Sequence, residues 1–164
     1  MRLFHVSDRP DIGRFEPRVA ADGALKVWAI EERTLANYLL PRDCPRVCAR
    51  PGPETAAADL ALLDGAPAVV AIEAVWLERV RSARLFVYDM PPASFALEDR
   101  IAGYWTSTTT VEPASTRTLT DLPERIAERG ARLSALPSLW PLHDRVAASS
   151  LDFSMIRMRN AARR

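Results

Sequence analysis

Glycine is scarce in this chain: six occur in 164 residues, and none stands in a Gly-x-Gly-x-x-Gly turn or a Walker phosphate loop. The familiar phosphate-cradling turns are therefore excluded. Histidine is scarcer still, with His5 and His143 alone, and both cysteines, Cys44 and Cys48, lie in one segment, DCPRVC. If that segment is extended, four steps of about 3.3 Å put the two α-carbons roughly 13 Å apart, beyond the reach of a disulfide. The spacing fits half of a zinc site that His5 and His143 would have to complete, but a second close ligand pair is missing. Buried free thiols are the simpler reading, and no metal is expected. An excess of charge is missing too: 22 basic against 21 acidic side chains leave +1, no field to gather nucleic acid or an anionic membrane. Lys26 is the single lysine, and the arginine bias reads as composition rather than a basic patch. Even the densest cluster, Arg157, Arg159, Arg163 and Arg164, reads as a solvated chain end, with 160–164 a basic tail. No long apolar run exists, since Ala66 to Leu77 is broken by Pro67 and Glu73 and falls short of the ~20 residues a bilayer requires. The opening MRLFHVSDRPD carries charges where a secretory signal needs an apolar stretch. A cytoplasmic protein with no membrane or nucleic-acid partner is expected.

What is present suits a folded domain. With 48% hydrophobic and 26% charged residues, residues 1–164 can build one core but not two. Leu3 to Val6 reads as a strand ended by Ser7, Asp8 and Pro10, followed by a long loop over 7–24 whose apolar anchors are Ile12, Phe15 and Val19. Leu25 to Ile30 reads as a second strand, and Glu31 to Leu40 as an amphipathic helix stopped by Pro41. Arg46 to Ala49 suits a short strand, and 51–65 a loose helix or mobile insertion. The apolar run Ala68 to Ile72 predicts a strand buried on both faces at the sheet's centre. Glu73 to Ser82 predicts a helix and Arg84 to Asp89 a strand, together one strand, helix, strand unit. A short helix over Phe95 to Ile101 and a strand within Gly103 to Val111 follow, then a weak strand from Thr116 to Thr120. Asp121 and Glu124 spell a capping box for a helix ending at Gly130. Leu133 to Leu136 reads as a strand, Leu142 to Ser149 as a helix and Phe153 to Met158 as a last strand or turn. The expectation is an α+β single domain with a mixed, largely antiparallel sheet and flanking helices.

Few residues carry chemistry. His5, at the end of the first strand, titrates near neutral pH and can serve as hydrogen-bonding group or base. Ser7 lies two residues on, but no Gly-x-Ser-x-Gly elbow supports a hydrolase triad. Of the four tryptophans, Trp28, Trp105 and Trp140 can stack on a planar ligand, whereas Trp76 sits on an apolar helical stripe and reads as core. Trp140 and His143 share the segment LPSLWPLHD. Arg18 in the long loop offers a fork for phosphate or carboxylate, and Arg157 with Arg159 would share one side of a strand as an anion-binding pair.

The strings LFHVSDRPDIGRFEPR, VWAI, NYLLPRDCPR, SLWPLHD and FSMIRMRNA resemble an uncharacterised bacterial family, a domain of unknown function, across nearly the whole chain. More distantly, Leu3 to Ser7, then Lys26 to Ile30, then Tyr104 to Ser107 with Val111, Glu112 and Pro113, resemble proteins with an ADP-ribosyltransferase-like fold. That resemblance implies NAD as cofactor, His5 against the NAD ribose, and Trp28 or Tyr38 stacked on nicotinamide. It also implies a glutamate at the start of the later strand, where this chain has Gly103, with Glu98, Asp99 and Glu73 the nearest acids considered. Two functions follow: a domain that binds NAD or another small nucleotide, or a non-catalytic interaction module with a tryptophan-rich surface.

Overall fold

Extended runs rich in valine, isoleucine, threonine and aromatic residues form eleven strands in the computed structural model, which describes residues 1–164. Seven make an antiparallel sheet: β1 (Leu3–Ser7), β2 (Arg18–Val19), β3 (Leu25–Glu31), β6 (Leu85–Met90), β7 (Ala96–Asp99), β8 (Tyr104–Ser107) and β9 (Ser115–Leu119). Their order is β7-β8-β3-β1-β6-β9, with the short β2 beside β3 off this path. Four make a second sheet: β4 (Arg46–Arg50), β5 (Ala68–Glu73), β10 (Ala131–Leu136) and β11 (Asp152–Ile156), ordered β10-β5-β4-β11. Only its β10–β5 pair is parallel. The short helices are α1 (Leu77–Ser82), α2 (Leu122–Ala127) and α3 (Trp140–Ala147).

The α+β class stands, but two sheets replace the single one expected. Every residue of β5 is buried, as its apolar run demands, yet β5 belongs to the second sheet and β6 to the first. The segment 68–90 therefore crosses from sheet to sheet instead of forming a strand, helix, strand unit within one. An apolar run reports burial on both faces, not which strands lie beside it.

Phe4, Ile30 and Val87 of the first sheet meet Cys48, Val70 and Ile72 of the second in the main core, which Leu35, Leu39, Val80, Leu122 and Ile126 complete. On the first sheet's other face, Leu3, Val27, Ala29 and Tyr88 pack beneath Phe15, Phe95 and Val111. The loop over 7–24 is thus anchored by Phe15, whose backbone exchanges two hydrogen bonds with Val111 at 2.8 and 3.0 Å. The second sheet's other face places Val47, Ala49, Val69 and Ala71 under Leu63, Leu139 and Val146. Leu63 ends a 3-10 helix, Ala57–Leu63, within the stretch read as a loose helix or insertion. Both thiols are free and buried, and burial pushes Cys44 to about 11 and Cys48 to about 12.

Three local expectations are corrected. Glu32–Tyr38 is a 3-10 helix rather than an amphipathic α-helix, because Thr34, Leu35, Ala36 and Asn37 are buried consecutively and leave no polar stripe for solvent. Phe95 to Ile101 is β7 and a turn, since the Asp99 carboxylate accepts the amides of Ile101 and Ala102 at 2.8 and 3.0 Å and closes an Asx turn. No capping box starts α2: Asp121 sits at φ 53 and makes no side-chain cap bond, and its carboxylate takes the Thr120 hydroxyl instead. A proline in the first turn, where no amide is missed, opens α2 and α3.

Candidate functional site

β1 pairs with β6 along its whole length, but with β3 only at Leu3↔Glu31 and Phe4↔Ile30. Beyond Phe4 the ladder between β1 and β3 is open, and the His5 side chain bridges it, with Nδ1 2.9 Å from the Trp28 carbonyl oxygen. A carbonyl only accepts, so Nδ1 carries the proton and Nε2 presents a lone pair. The ring rests on Phe15 with centroids 4.6 Å apart. Burial, reinforced by the charges of Arg42 and Arg18, holds the imidazole below its ordinary pKa against the smaller opposing effect of the Trp28 bond. His5 is therefore a neutral, oriented hydrogen-bond acceptor.

This arrangement sets a pH dependence. Because the folded pKa lies below the ordinary 6.5, the unfolded chain takes up a proton that the folded chain refuses. The stability contributed by neutral His5 is thus complete above about pH 6.5 and is lost as pH falls through the folded value. Between about pH 7 and 5 the melting temperature of the native protein should fall more steeply than that of His5→Gln, whose amide can still donate to Trp28 without titrating. Parallel slopes in paired melts would show that His5 is not held neutral.

The same Trp28 that fixes His5 by its carbonyl places its indole on the face toward the main core. Trp28 stands opposite Thr106, and Ile30 opposite Tyr104, so Trp28, Tyr104 and Thr106 share that face. Tyr104 meets the Trp28 ring edge-on at 5.3 Å and the Tyr38 ring at 5.8 Å. All three aromatics are half-buried. The Tyr38 hydroxyl is buried without a hydrogen-bond partner, and burial drives its pKa far up, so it stays a phenol. Lys26 lies 5.6 Å over the Trp28 ring and is held by Asp22 at 2.5 Å and Glu98 at 2.7 Å. Glu98 also accepts the Thr106 hydroxyl at 3.0 Å.

The loop that carries Tyr38 and Arg42 is fastened by Arg46, whose side chain is buried. Its guanidinium donates to the carbonyls of Cys44 at 2.9 Å, Asn37 at 3.0 Å, Pro41 at 3.0 Å and Arg42 at 3.4 Å, and it meets no carboxylate.

Of the residues singled out from the sequence, His5 lies at this gap on the Phe15 face, with Arg18 close enough for its charge to act on it, whereas the rings of Trp28 and Tyr38 stand on the sheet's opposite face and only the Trp28 carbonyl reaches His5. The Ser7 hydroxyl is engaged in the turn, accepting the Arg9 amide at 3.1 Å. Trp105 falls on the opposite face, packed against the core under Phe15, because it is one position out of step with Tyr104. Trp140 and His143 lie on α3 over the second sheet, with ring centroids 5.0 Å apart. There the Trp140 indole donates to the Ala162 carbonyl at 2.6 Å, Arg164 stacks 4.5 Å above it, and Ala162 donates its amide to the buried Glu73 carboxylate at 3.0 Å. The chain end is thus tied down at Ala162 and Arg164, while the side chains of Arg159, Arg163 and Arg164 remain exposed. Arg157 is not in a strand: β11 ends at Ile156 and Arg157 turns at φ 56, so no strand-paired anion site with Arg159 forms. No three His, Cys, Asp or Glu side chains stand close enough to hold a metal ion.

Gly103, where the resemblance would put a glutamate, has φ +71, and a Cβ there would collide with Thr34 and lie 2.9 Å from Glu31 Cγ. No side chain fits at that position. Sequence reasoning left out Arg46, Lys26, Arg42 and the packing role of Tyr104; only Tyr104, inside the aromatic YWTS strand, carried a signal.

A family model for a family of unknown function, DUF6886, matches residues 4–161. No curated protein and no solved structure matches the chain.

Proposed function

The chain belongs to DUF6886, and from the geometry of its own side chains we propose that it binds a nucleotide of the NAD type at the gap between β1 and β3. The observation that carries this reading is His5, pinned by the Trp28 carbonyl and kept neutral, so that its Nε2 lone pair is oriented to accept a ribose hydroxyl. Trp28 and Tyr38 stand on the sheet's other face, away from the His5 ring, so the ribose contact at His5 carries the reading without a stacking partner from either. The distant resemblance to ADP-ribosyltransferase-like proteins supports the same role for His5.

Binding, rather than group transfer, is the function proposed. Position 103 has no room for an acid, Glu73 is occupied by Ala162, and Glu98 is held in an ion pair with Lys26. The interaction-module reading is less well supported, since no tryptophan is among the exposed large apolar side chains, which are Met1, Val19, Leu25, Leu60, Val75, Leu97 and Ile101.

The test is a thermal melt with NAD, ADP-ribose and, as control, ATP, repeated for His5→Ala. At 100 times its dissociation constant a ligand adds about 2.7 kcal/mol of stability, readily seen as a shift. NAD or ADP-ribose should raise the melting temperature of the native chain and leave folded His5→Ala unmoved. No shift with either ligand, or an equal shift in His5→Ala, would overturn the reading.

A further inference from the structure

Just past the end of β1 a cavity of about 250 Å³ is lined by Asp8, Arg42, Asp43, Arg79, Arg84 and Leu85, among others. Its arginines come from three separate elements: Arg42 from the loop that Arg46 fastens, Arg79 from α1, and Arg84 from the residue before β6. Other cations of the chain are engaged, Arg46 by backbone carbonyls, Arg81 by Glu78 and Lys26 by Asp22 and Glu98. The three cavity arginines differ. None of their guanidinium groups enters an ion pair or donates a hydrogen bond within the chain, although Arg79 is steadied 5.1 Å over the Trp76 ring.

Three unpaired arginines lining one cavity call for an anion with acceptor oxygens in several directions. A carboxylate is planar and satisfies one fork; a phosphoryl group presents oxygens tetrahedrally and can engage several. The cavity holds roughly eight waters' worth of liquid volume, enough for two linked phosphoryl groups. Asp8 and Asp43 offset two of the three positive charges, so selection rests on close-range fork geometry rather than on a long-range field. Asp8, the residue directly after β1, lines the cavity and sets it at the end of the strand that carries His5.

We propose that this cavity is a pyrophosphate site in which Arg42, Arg79 and Arg84 grip the bridged phosphoryl groups of a ligand. The assignment of those groups to a dinucleotide rests on the nucleotide reading above; the anion chemistry does not.

Isothermal titration with sodium pyrophosphate at fixed ionic strength tests it, with sodium chloride as the charge control and NAD as a parallel arm. Pyrophosphate should bind the native protein, and Arg42→Ala and Arg84→Ala should each weaken it at least tenfold. Both side chains are exposed and unbonded, so these variants should melt as the native protein does. His5→Ala should keep pyrophosphate binding while losing NAD. Absence of pyrophosphate binding, competition by chloride at matched ionic strength, or unchanged affinity in both arginine variants would overturn the proposal. Pyrophosphate binding without NAD binding would overturn the nucleotide reading alone, leaving free pyrophosphate or another diphosphate as the ligand.

Discussion

Arg46→Met is expected to lower the unfolding free energy by about 4 kcal/mol, because it removes a buried cation and strands the carbonyls it serves. Arg46 is 3% exposed, and four backbone carbonyls between Asn37 and Cys44 converge on it. Burial pulls its pKa down, yet a guanidinium keeps its charge, so carbonyl oxygens take the place of a counter-ion. Methionine fills much of the volume and supplies no donor, while lysine has three donors on one nitrogen and cannot span the same set. Against the 5 to 15 kcal/mol that ordinarily separates folded from unfolded states, the loss is severe. A urea melt should show a midpoint well below that of the native chain, with Arg46→Lys between the two. Tyr38 and Arg42 ride on the fastened loop, so any surviving folded Arg46→Met should also lose ligand affinity. A change below about 1 kcal/mol would mean that water or local rearrangement serves these carbonyls as well as the arginine does.

Gly103→Ala should cost roughly 3 kcal/mol from left-handed strain and overpacking together. The residue sits at φ +71, where a Cβ is unfavourable even in open space. Here the space is also filled: a Cβ would collide with the Thr34 hydroxyl and lie 2.8 Å from Thr34 Cγ2 and 2.9 Å from Glu31 Cγ. Thr34 is completely buried and cannot swing aside. The Gly103 carbonyl accepts the Glu31 amide at 3.0 Å, so distortion passes directly into the β3–β8 pairing that sets Trp28 against Tyr104. Gly130→Ala is the natural control, at φ +72 with nothing within 4 Å of the added carbon. It should lose only the strain component, and equal losses in the two variants would show that contact with Thr34 contributes nothing.

The elements that the sequence announces most clearly are those whose cause is local. β1, β3 and β5 follow from apolar and β-branched runs, and His5 stands out because histidine is rare and lies at a strand end. Trp28 and Trp105 show where such reading stops. Both are tryptophans in strands and both looked able to stack on a ligand, but the register Ala29↔Trp105 sends Trp105 to one face while Trp28 takes the other. A slip of one residue between the two strands would put both tryptophans on one face, and no local pattern in the sequence announces the register. Arg46 was lost in an arginine-rich background, since its value comes from carbonyls that converge only after the loop over residues 37–44 has folded round it. Arg42 and Arg84 are likewise ordinary in sequence and become a pair only across the cavity wall.

The division into two sheets also sets an order of assembly. β4 and β5 can form their hairpin early, but Ala68 is flanked by Ala131 and Ala49 by Phe153, residues made much later. During synthesis from the N-terminus, the fully buried β5 therefore waits with one edge bare until β10 arrives, and β4 until β11 does. Pairings so distant in sequence slow the search for the native state. The vulnerable moment for this chain is thus its nascent state, when the most apolar strand already exists and its last neighbours do not.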